Sequence, residues 1–265
     1  MPPDHRRRGR NREEPTGPLT VVGRRPALEA VRSGRALEVM VAEGSRSTPA
    51  LREVVEAAGA SGVPVVTVPG DRIESMSDGA LHQGVAARVA SAPRLTETDL
   101  SSRAWGPEAI AVVVDGVTDP HNLGAIARTA EAAGAEAMVM PRRRAAPLGR
   151  VAQKASAGAL MHLPVAEVPN LTRALARLQE AGFWTVGLDA SASKTIFERP
   201  PQGRLALVLG AEGEGLSRLV REACDELLAI PLRGRVASLN VSVAAGIALF
   251  SYAARGMEKK DGRQE

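Results

Sequence analysis

The chain has 265 residues, a formal net charge of +4 and one cysteine, Cys224. The length is enough for one large domain or two small ones. A single cysteine excludes an intrachain disulfide and a cysteine-cluster metal site. So low a cysteine content is typical of proteins of the reducing cytoplasm. Aromatic residues make up only 2% of the chain, which excludes the stacking platform that many single-strand-binding proteins use.

The N-terminal segment, residues 1–18, is rich in arginine, proline and glycine and has no apolar periodicity. It is predicted to be a disordered basic tail. Because it lacks the apolar stretch of a signal peptide, the protein is predicted to be cytoplasmic. The sequence pI of about 9.8 favours a polyanionic partner. The four histidines show no metal-ligand spacing, so no metal site is predicted.

Residues 19–91 have the short alternating pattern of a small α/β domain. Its first helix is predicted to start near Pro26, since proline is favoured in the first helical turn, and Thr48 precedes the second. Residues 92–107, which contain prolines and polar residues, are predicted to be a linker. The predicted elements of the domain are helices near 26–34 and 49–59 and strands at 37–41, 63–68 and 84–89.

Residues 108–257 alternate strands and helices in the manner of a parallel sheet, and residues 258–265 are predicted to be a disordered tail. The stretch 236–254 carries no charge, but its hydropathy is weak. It is therefore predicted to be a helix buried in the core or in a dimer interface rather than a membrane span. The predicted strands are at 110–114, 137–140, 183–188, 205–209 and 227–232, and the predicted helices are at 123–133, at 170–180 and after Ser238.

The loop 210–215, Gly-Ala-Glu-Gly-Glu-Gly, follows a predicted strand and precedes a helical pattern that begins near Ser217. Its order, G-x-x-G-x-G, differs from the G-x-G-x-x-G of dinucleotide-binding loops, and Glu212 and Glu214 would repel a phosphate. Both features argue against a dinucleotide-dependent oxidoreductase. The loop favours a nucleoside-like ligand that lacks phosphates or carries positive charge.

Two further predicted strands end in unusual polar segments. Asn122 and Arg128 follow the first strand of the domain, and Ser238 and Asn240 follow the last. Taken singly, the asparagines and Ser238 can cap helices, and Arg128 can form a surface salt bridge. Because ligands bind at the carboxyl ends of strands in parallel sheets, these segments and the glycine-rich loop together predict one site.

The three segments resemble the three motifs of the SpoU (TrmH-like) branch of the SPOUT methyltransferases. The first motif, N-x-G-x-x-x-R-T-A, matches residues 122–130, and the second, L-G-x-E-G-x-G-L, matches 209–216. The third, I-P-x-x-G-x-x-x-S-L-N-V-S-x-A, matches 230–244. The domain at 19–91, with Gly-Arg-Arg at 23–25 and His-Gln-Gly at 82–84, resembles the substrate-binding domain of the 23S rRNA guanosine-2′-O-methyltransferase subgroup, which is similar to ribosomal protein L30e.

The resemblance implies an α/β fold in which an L30e-like domain precedes a trefoil-knotted, parallel-sheet SPOUT domain. It also implies S-adenosylmethionine as the methyl donor, a guanosine ribose of 23S rRNA as the acceptor, and a homodimer that buries the last helix. The catalytic residues it implies are Asn122, Arg128, Glu212, Ser238 and Asn240. The cofactor contacts are Leu209, Gly210, Gly213, Gly215, Ile230, Leu232 and Leu239, and the RNA contacts are Arg24, Arg142, Arg143, Arg144 and Lys154.

Alternative functions differ in substrate or in class. Within the enzyme hypothesis, the acceptor can be a tRNA ribose or another 23S rRNA nucleoside, including an antibiotic-resistance site. A non-enzymatic, ribosome-associated RNA-binding protein is a different class, favoured by the L30e-like domain and the basic charge. That class does not explain three polar strand ends in the other domain, and a measurement of cofactor binding separates the two.

Overall fold

A computed structural model of the chain describes residues 19–77, 79, 81–90, 94–198, 203–236 and 238–261. The chain divides into two compact units, Met1–Ser91 and Ala92–Glu265. The tail predicted at 1–18 lies outside the described residues, and so does the 262–265 part of the tail predicted at the other end.

The N-terminal unit is built on a mixed four-stranded sheet. Its elements are β1 (Leu19–Val22), α1 (Arg24–Arg32), β2 (Ala36–Ala42), α2 (Pro49–Ala60), β3 (Val65–Val68), α3 (Gly70–Ser77) and β4 (Val85–Val89). The strand order is β1-β4-β2-β3, in which β4 runs antiparallel to both of its neighbours and β2 runs parallel to β3. The order of elements predicted from the sequence is confirmed, with β1 and α3 added.

Local sequence signals set the two long helices of this unit. The Thr48 hydroxyl accepts a hydrogen bond from the Leu51 N–H at 3.3 Å, so Thr48 caps α2, and Pro49 occupies its first turn. Helix α1 begins two residues before Pro26, with Gly23 as its N-cap. Helices α1 and α2 pack against each other. Their first turns belong to the same unit as the loop that precedes β4.

The C-terminal unit is an α/β domain with a seven-stranded sheet. Its strands are β5 (Arg94–Leu95), β6 (Ile110–Val114), β7 (Ala137–Pro141), β8 (Val165–Val168), β9 (Phe183–Leu188), β10 (Arg204–Leu209) and β11 (Glu226–Leu228). Its helices are α4 (Asp99–Ser102), α5 (Pro120–Ala132), α6 (Arg150–Ala155), α7 (Ala159–His162), α8 (Leu171–Glu180), α9 (Arg218–Ala223) and α10 (Val241–Asp261).

Every strand pair of this sheet is parallel, in the order β11-β9-β10-β6-β7-β8-β5. Both faces of the sheet are buried, as the continuous apolar strands predict. In β6, Val112 and Val114 point into the cluster that contains α5 and α10, whereas Ala111 and Val113 point into the cluster that contains α8. The unit is therefore a three-layer sandwich, and all of its strands end at one edge.

The structure differs from the sequence predictions at three places. Strand β11 ends at Leu228 rather than at 232, and the next residue, Ala229, pairs with Thr195 in an isolated bridge. Helix α5 begins at Pro120 rather than at 123, since Asp119 accepts a hydrogen bond from the His121 N–H at 2.9 Å and caps it. The segment 92–107, predicted as a linker, contains β5 and α4.

The uncharged stretch near the C-terminus forms most of α10, which packs against α5. Ala245, Ala248 and Leu249 of α10 are fully buried in the core, which confirms the prediction of a buried helix. The helix continues to Asp261 and so includes residues 258–261, which were predicted as part of the tail. Among the residues that the structure describes, no helix is long and apolar enough to cross a membrane.

Candidate functional site

Strands β6 and β10 lie side by side at the centre of the parallel sheet. From β6 the chain continues outward through β7 and β8, whereas β9, β10 and β11 occupy the other side. Such a topological switch point opens a crevice beyond the carboxyl ends of the strands, where ligands bind in open α/β sheets. The segment that contains Asn122 follows β6, and the glycine-rich loop 210–215 follows β10, so both border this crevice.

Asn122 lies in the first turn of α5, and Asp119 rather than Asn122 caps the helix. Its side chain is therefore available for other contacts. Helix α5 is held in place by close packing against α6, since a Cβ atom on Gly124 would lie 2.4 Å from the Ala152 carbonyl oxygen. The glycine of the first motif thus sets the position from which Asn122 reaches the site.

Three side chains, one from each polar segment, form a hydrogen-bonded triangle. The Asn240 amide donates to Asn122 Oδ1 at 2.9 Å and to Glu212 Oε1 at 2.6 Å. The Asn122 amide donates to the same Glu212 oxygen at 3.2 Å. Segments that are far apart in the sequence are therefore joined at one point by a single carboxylate oxygen.

The orientation of the Asn240 amide is fixed by its second role as the cap of α10. Its Oδ1 accepts from the Ser242 N–H at 2.9 Å and from the Ser242 hydroxyl at 2.6 Å. Because the oxygen faces these donors, both amide N–H groups are directed at Asn122 and Glu212. Helix capping and site formation are thus performed by the same side chain. Ser238 is exposed and makes no hydrogen bond to the described residues.

The glycine-rich loop closes on itself beside the triangle. Ala211 and Gly215 exchange two backbone hydrogen bonds, of 3.0 and 2.9 Å. Gly210 lies directly under this closure, since a Cβ atom there would be 2.2 Å from the Gly215 carbonyl carbon. Glycine at this position is required for the loop to close, and the closure places Glu212 at the loop tip.

Asp115, which was not predicted as a site residue, holds both ends of this loop. Its backbone N–H donates to the Leu209 carbonyl oxygen at 2.8 Å, and its Oδ2 accepts from the Ser217 N–H at 2.7 Å. One residue at the end of β6 thus clamps the loop where it leaves β10 and where it enters α9. The sequence feature that could have identified Asp115 is its position directly after an apolar strand.

Asp115→Ala is expected to loosen the loop and to lower the melting temperature by about 2–4 °C, as loss of one charge-assisted hydrogen bond predicts. Asp115→Asn keeps an acceptor oxygen and serves as the matched control. Thermal melting of the three proteins measures the effect. Equal melting temperatures in the wild type and the alanine variant would contradict the role of the clamp.

Arg128 is not part of the triangle. It is exposed on α5, six residues after Asn122, which places it about 120° away around the helix axis. It makes no hydrogen bond or ion pair to any residue in the described part of the chain. The structure therefore joins Asn122, Glu212 and Asn240 and leaves Arg128 facing solvent.

The predicted cofactor residues surround the same strand ends but differ in exposure. The Leu209 side chain is buried in the core, so a contact from Leu209 would have to come from its backbone. Ile230 and Leu239 are half-buried, and Leu232 is exposed. Gly213 and Gly215 lie in the exposed part of the loop. The backbone-rich, carboxylate-bearing loop and the half-buried aliphatic side chains suit a nucleoside-like ligand without phosphates.

The predicted RNA contacts of this unit lie near the same edge of the sheet. Residues 142–144 follow β7, the neighbour of β6, and all three arginines are exposed. The Arg142 Nε donates to the Glu167 carbonyl oxygen at 3.0 Å, and Arg144 has a φ of 57°, an unusual value for a side chain of its size. Lys154 is exposed on α6. Arg24 belongs to the N-terminal unit.

Comparison with known proteins gives two family matches that together cover most of the chain. Residues 109–250 match the SpoU rRNA Methylase family. Residues 20–95 match the family described as RNA 2'-O ribose methyltransferase substrate binding. The first match contains the triangle, the glycine-rich loop and Asp115.

The chain is similar to individual members of these families over most of its length. It is 44% identical over 220 residues to the 23S rRNA (guanosine-2'-O-)-methyltransferase RlmB of Escherichia coli K12, covering 80% of this chain and 88% of that protein. The protein of the same name from Haemophilus influenzae is 45% identical over 221 residues, covering 82% and 88%. The AdoMet-bound rRNA methyltransferase of Sinorhizobium meliloti superposes with a TM-score of 0.73 and 25% identity, over 91% of this chain and 88% of that one.

Proposed function

The chain belongs to the SpoU rRNA methylase family, and from this premise we propose that it transfers the methyl group of S-adenosylmethionine to a ribose 2′-hydroxyl of RNA. The observation that carries the proposal is the triangle of Asn122, Glu212 and Asn240 at the switch point of the sheet. It unites the three segments whose sequences match the methyltransferase motifs. A protein that only binds RNA has no use for such a junction beside a ligand crevice.

The chemistry of the loop fits S-adenosylmethionine. This cofactor supplies a methyl group on a positively charged sulfur and carries no phosphate. The loop 210–215 contains two glutamates and no cation, which suits that charge. Gly210 and the backbones around Ile230 and Leu239 would contact the adenosine, and Leu209, Gly213, Gly215 and Leu232 would lie next to it.

When bound, S-adenosylmethionine would supply the methyl group for an in-line displacement, in which the bond from O2′ to the methyl carbon forms as the carbon–sulfur bond breaks. S-adenosylhomocysteine would leave, and the hydroxyl proton would pass to solvent. Positioning of the two reactants supplies most of the rate acceleration. The triangle would hold the loop and, with Ser238, the acceptor ribose. The Arg128 guanidinium offers N–H donors and no acceptor atom. It would therefore orient the 2′-hydroxyl and stabilise negative charge on O2′ rather than accept the proton.

The acceptor we propose is a guanosine of 23S rRNA. Relatives at 44% and 45% identity carry that activity in their names, and residues 20–95 match a substrate-binding family of RNA 2′-O-ribose methyltransferases. The exposed arginines at 142–144 and Lys154 would bind RNA phosphates. Affinity for RNA should therefore fall as the salt concentration rises.

We also propose that the protein works in the cytoplasm as a homodimer with a trefoil-knotted methyltransferase unit. Val243 and Phe250 of α10 are 50% and 46% exposed, and their seven-residue spacing places them on one face of the helix. An apolar face of this kind suits a second copy of the chain. Sedimentation of the full-length protein, compared with Phe250→Lys, tests the dimer.

The function is tested by incubating the full-length protein with radiolabelled S-adenosylmethionine and unmodified 23S rRNA, with total tRNA in a parallel reaction. We expect label in 23S rRNA, at one guanosine whose phosphodiester bond becomes resistant to alkali. Label in tRNA alone would contradict the rRNA assignment. If the protein fails to bind the cofactor in a calorimeter, the enzyme hypothesis itself is wrong.

A further inference from the structure

Both strands that flank β10 are followed directly by an aspartate. Asp115 follows β6 and Asp189 follows β9, and β10 pairs with each of these strands. Both carboxylates contact α9, the helix that the chain enters after the glycine-rich loop. Asp115 accepts from the N–H of Ser217, the N-cap, and Asp189 pairs with Arg221, one turn further along. Helix α9 is therefore tied to both neighbours of the strand that carries the loop.

The Asp189 carboxylate is held in place independently of Arg221. Its Oδ1 accepts from the Ser191 N–H at 2.8 Å and from the Ser191 hydroxyl at 2.6 Å. The Asp189 backbone N–H donates to the Leu228 carbonyl oxygen at 3.0 Å, which fixes the start of this turn against β11. Burial disfavours the charged carboxylate, but the hydrogen bonds from Ser191 and the charge of Arg221 outweigh it and lower the pKa of Asp189 from its ordinary value.

Arg221 binds this turn at two points. Its Nε lies 3.1 Å from Asp189 Oδ2, and its Nη2 donates to Ser191 Oγ at 3.1 Å. An exposed ion pair usually contributes little, because two flexible side chains must be ordered to form it. Here the acceptor is already ordered and its side chain is only 14% exposed, and the planar guanidinium matches two acceptors at once. The pair is therefore suited to hold α9 against the end of β9.

A second ion pair of α9 differs from this one in what it connects. Arg218 lies 2.8 Å from Glu222, four residues further along the same helix, and both side chains are more than half exposed. Because both partners belong to α9, this pair cannot fix the position of the helix relative to the sheet. Arg218 and Arg221 thus provide two arginines on one short helix, of which only Arg221 contacts the end of a strand.

We propose that Asp189 and Arg221 are positioning residues for the cofactor, which hold α9 and thereby the loop 210–215 in the arrangement that binds S-adenosylmethionine. The inference rests on the proposed function. Both residues lie outside the three motif segments, and they act through the loop rather than on the cofactor. The loop enters α9 directly after Gly215, so a displacement of α9 would pull Gly215 away from Ala211 and open their two backbone hydrogen bonds.

The experiment is a double-mutant cycle in the full-length protein. The variants are Asp189→Asn, which keeps an oxygen for Ser191 but loses the charge, Arg221→Ala, and the two changes combined. Arg218→Ala is the matched control, since its ion pair stays within α9. Calorimetry gives the Kd for S-adenosylmethionine, and initial rates give its KM and kcat. Hydrogen exchange of peptides that cover 210–217, read by mass spectrometry without cofactor, reports on the loop itself.

Each single variant is expected to raise the Kd about three- to tenfold, as loss of one ordered hydrogen-bonded pair predicts. The double variant should lose no more than the weaker-binding single variant, because both changes remove the same interaction. KM should rise with Kd, whereas kcat at saturating cofactor should stay within about twofold of the wild type, since the pair acts on cofactor binding. Loop amides should exchange faster in these three variants. Arg218→Ala should match the wild type throughout.

The proposal is overturned if Asp189→Asn and Arg221→Ala both bind S-adenosylmethionine as tightly as the wild type does. It is also overturned if Arg218→Ala loses as much affinity as Arg221→Ala, or if the loss in the double variant is the product of the two single losses. A wild-type protein that does not bind the cofactor would refute the proposed function instead. Hydrogen exchange then decides the role of the pair alone, and unchanged exchange in Arg221→Ala would rule it out.

Discussion

Replacing Gly210 with alanine is expected to weaken the binding of S-adenosylmethionine severely. The added Cβ would lie 2.2 Å from the carbonyl carbon and 2.4 Å from the carbonyl oxygen of Gly215. These are backbone atoms, so the clash cannot be relieved by a change of rotamer. The paired hydrogen bonds between Ala211 and Gly215 would have to open, and Glu212 would leave the triangle. We expect the Kd measured by calorimetry to rise at least about 100-fold, which corresponds to about 2.7 kcal/mol.

Gly213→Ala is the matched control for this prediction. Gly213 belongs to the same loop, and a Cβ atom there meets nothing within 4 Å, although its φ of +80° disfavours alanine. Its cost is limited to the backbone strain, about 1 kcal/mol. The Kd should therefore rise only several-fold. A Gly210→Ala protein that binds the cofactor as well as Gly213→Ala does would show that closure of the loop is not needed.

The parallel sheet and its polar strand ends could be predicted from the sequence because they are local features. Apolar runs bounded by glycine identify the strands, and the residues that follow each run identify the segments that reach the edge. The triangle required one further inference, that carboxyl ends of parallel strands meet at one edge. The predicted helix-capping role of Asn240 is also confirmed, together with its contacts to Asn122 and Glu212.

Features that depend on neighbouring strands could not be predicted in this way. The clamp formed by Asp115 exists only because β6 and β10 are adjacent, although they are far apart in the chain.

The segment 92–107 was predicted as a linker from its prolines and polar residues. Trp105 packs edge-to-face on Phe183 at 4.9 Å and donates to the Leu100 carbonyl oxygen at 3.1 Å. A few long-range contacts of this kind anchor a segment whose local composition is that of a loop.

The placement of Arg128 shows why a motif alone does not establish a role. The motif places it six residues after Asn122, which is nearly two helical turns, and this spacing directs the two side chains to different faces of α5. Asn122 faces the loop, whereas Arg128 faces solvent. A residue in that position can reach only what approaches from outside the fold, and the RNA substrate does so.

Arg128→Ala is therefore expected to lower kcat by about 10²–10³-fold, the loss that follows removal of one donor that stabilises a developing oxyanion. The Kd for S-adenosylmethionine should be unchanged, because Arg128 makes no contact with the triangle or the loop among the described residues. Arg128→Lys should recover only part of the activity, since a lysine keeps the charge but not the planar fork that can bind a hydroxyl and a phosphate together. Single-turnover methylation at saturating RNA measures the chemical step.

The matched control is Arg218→Ala, which removes an exposed arginine of the same unit that pairs with Glu222 at 2.8 Å. It should methylate RNA at the wild-type rate. Full methylation by Arg128→Ala with normal cofactor binding would refute a direct role for Arg128 in the reaction. A loss that appears only in the KM for RNA would instead limit that role to binding a phosphate.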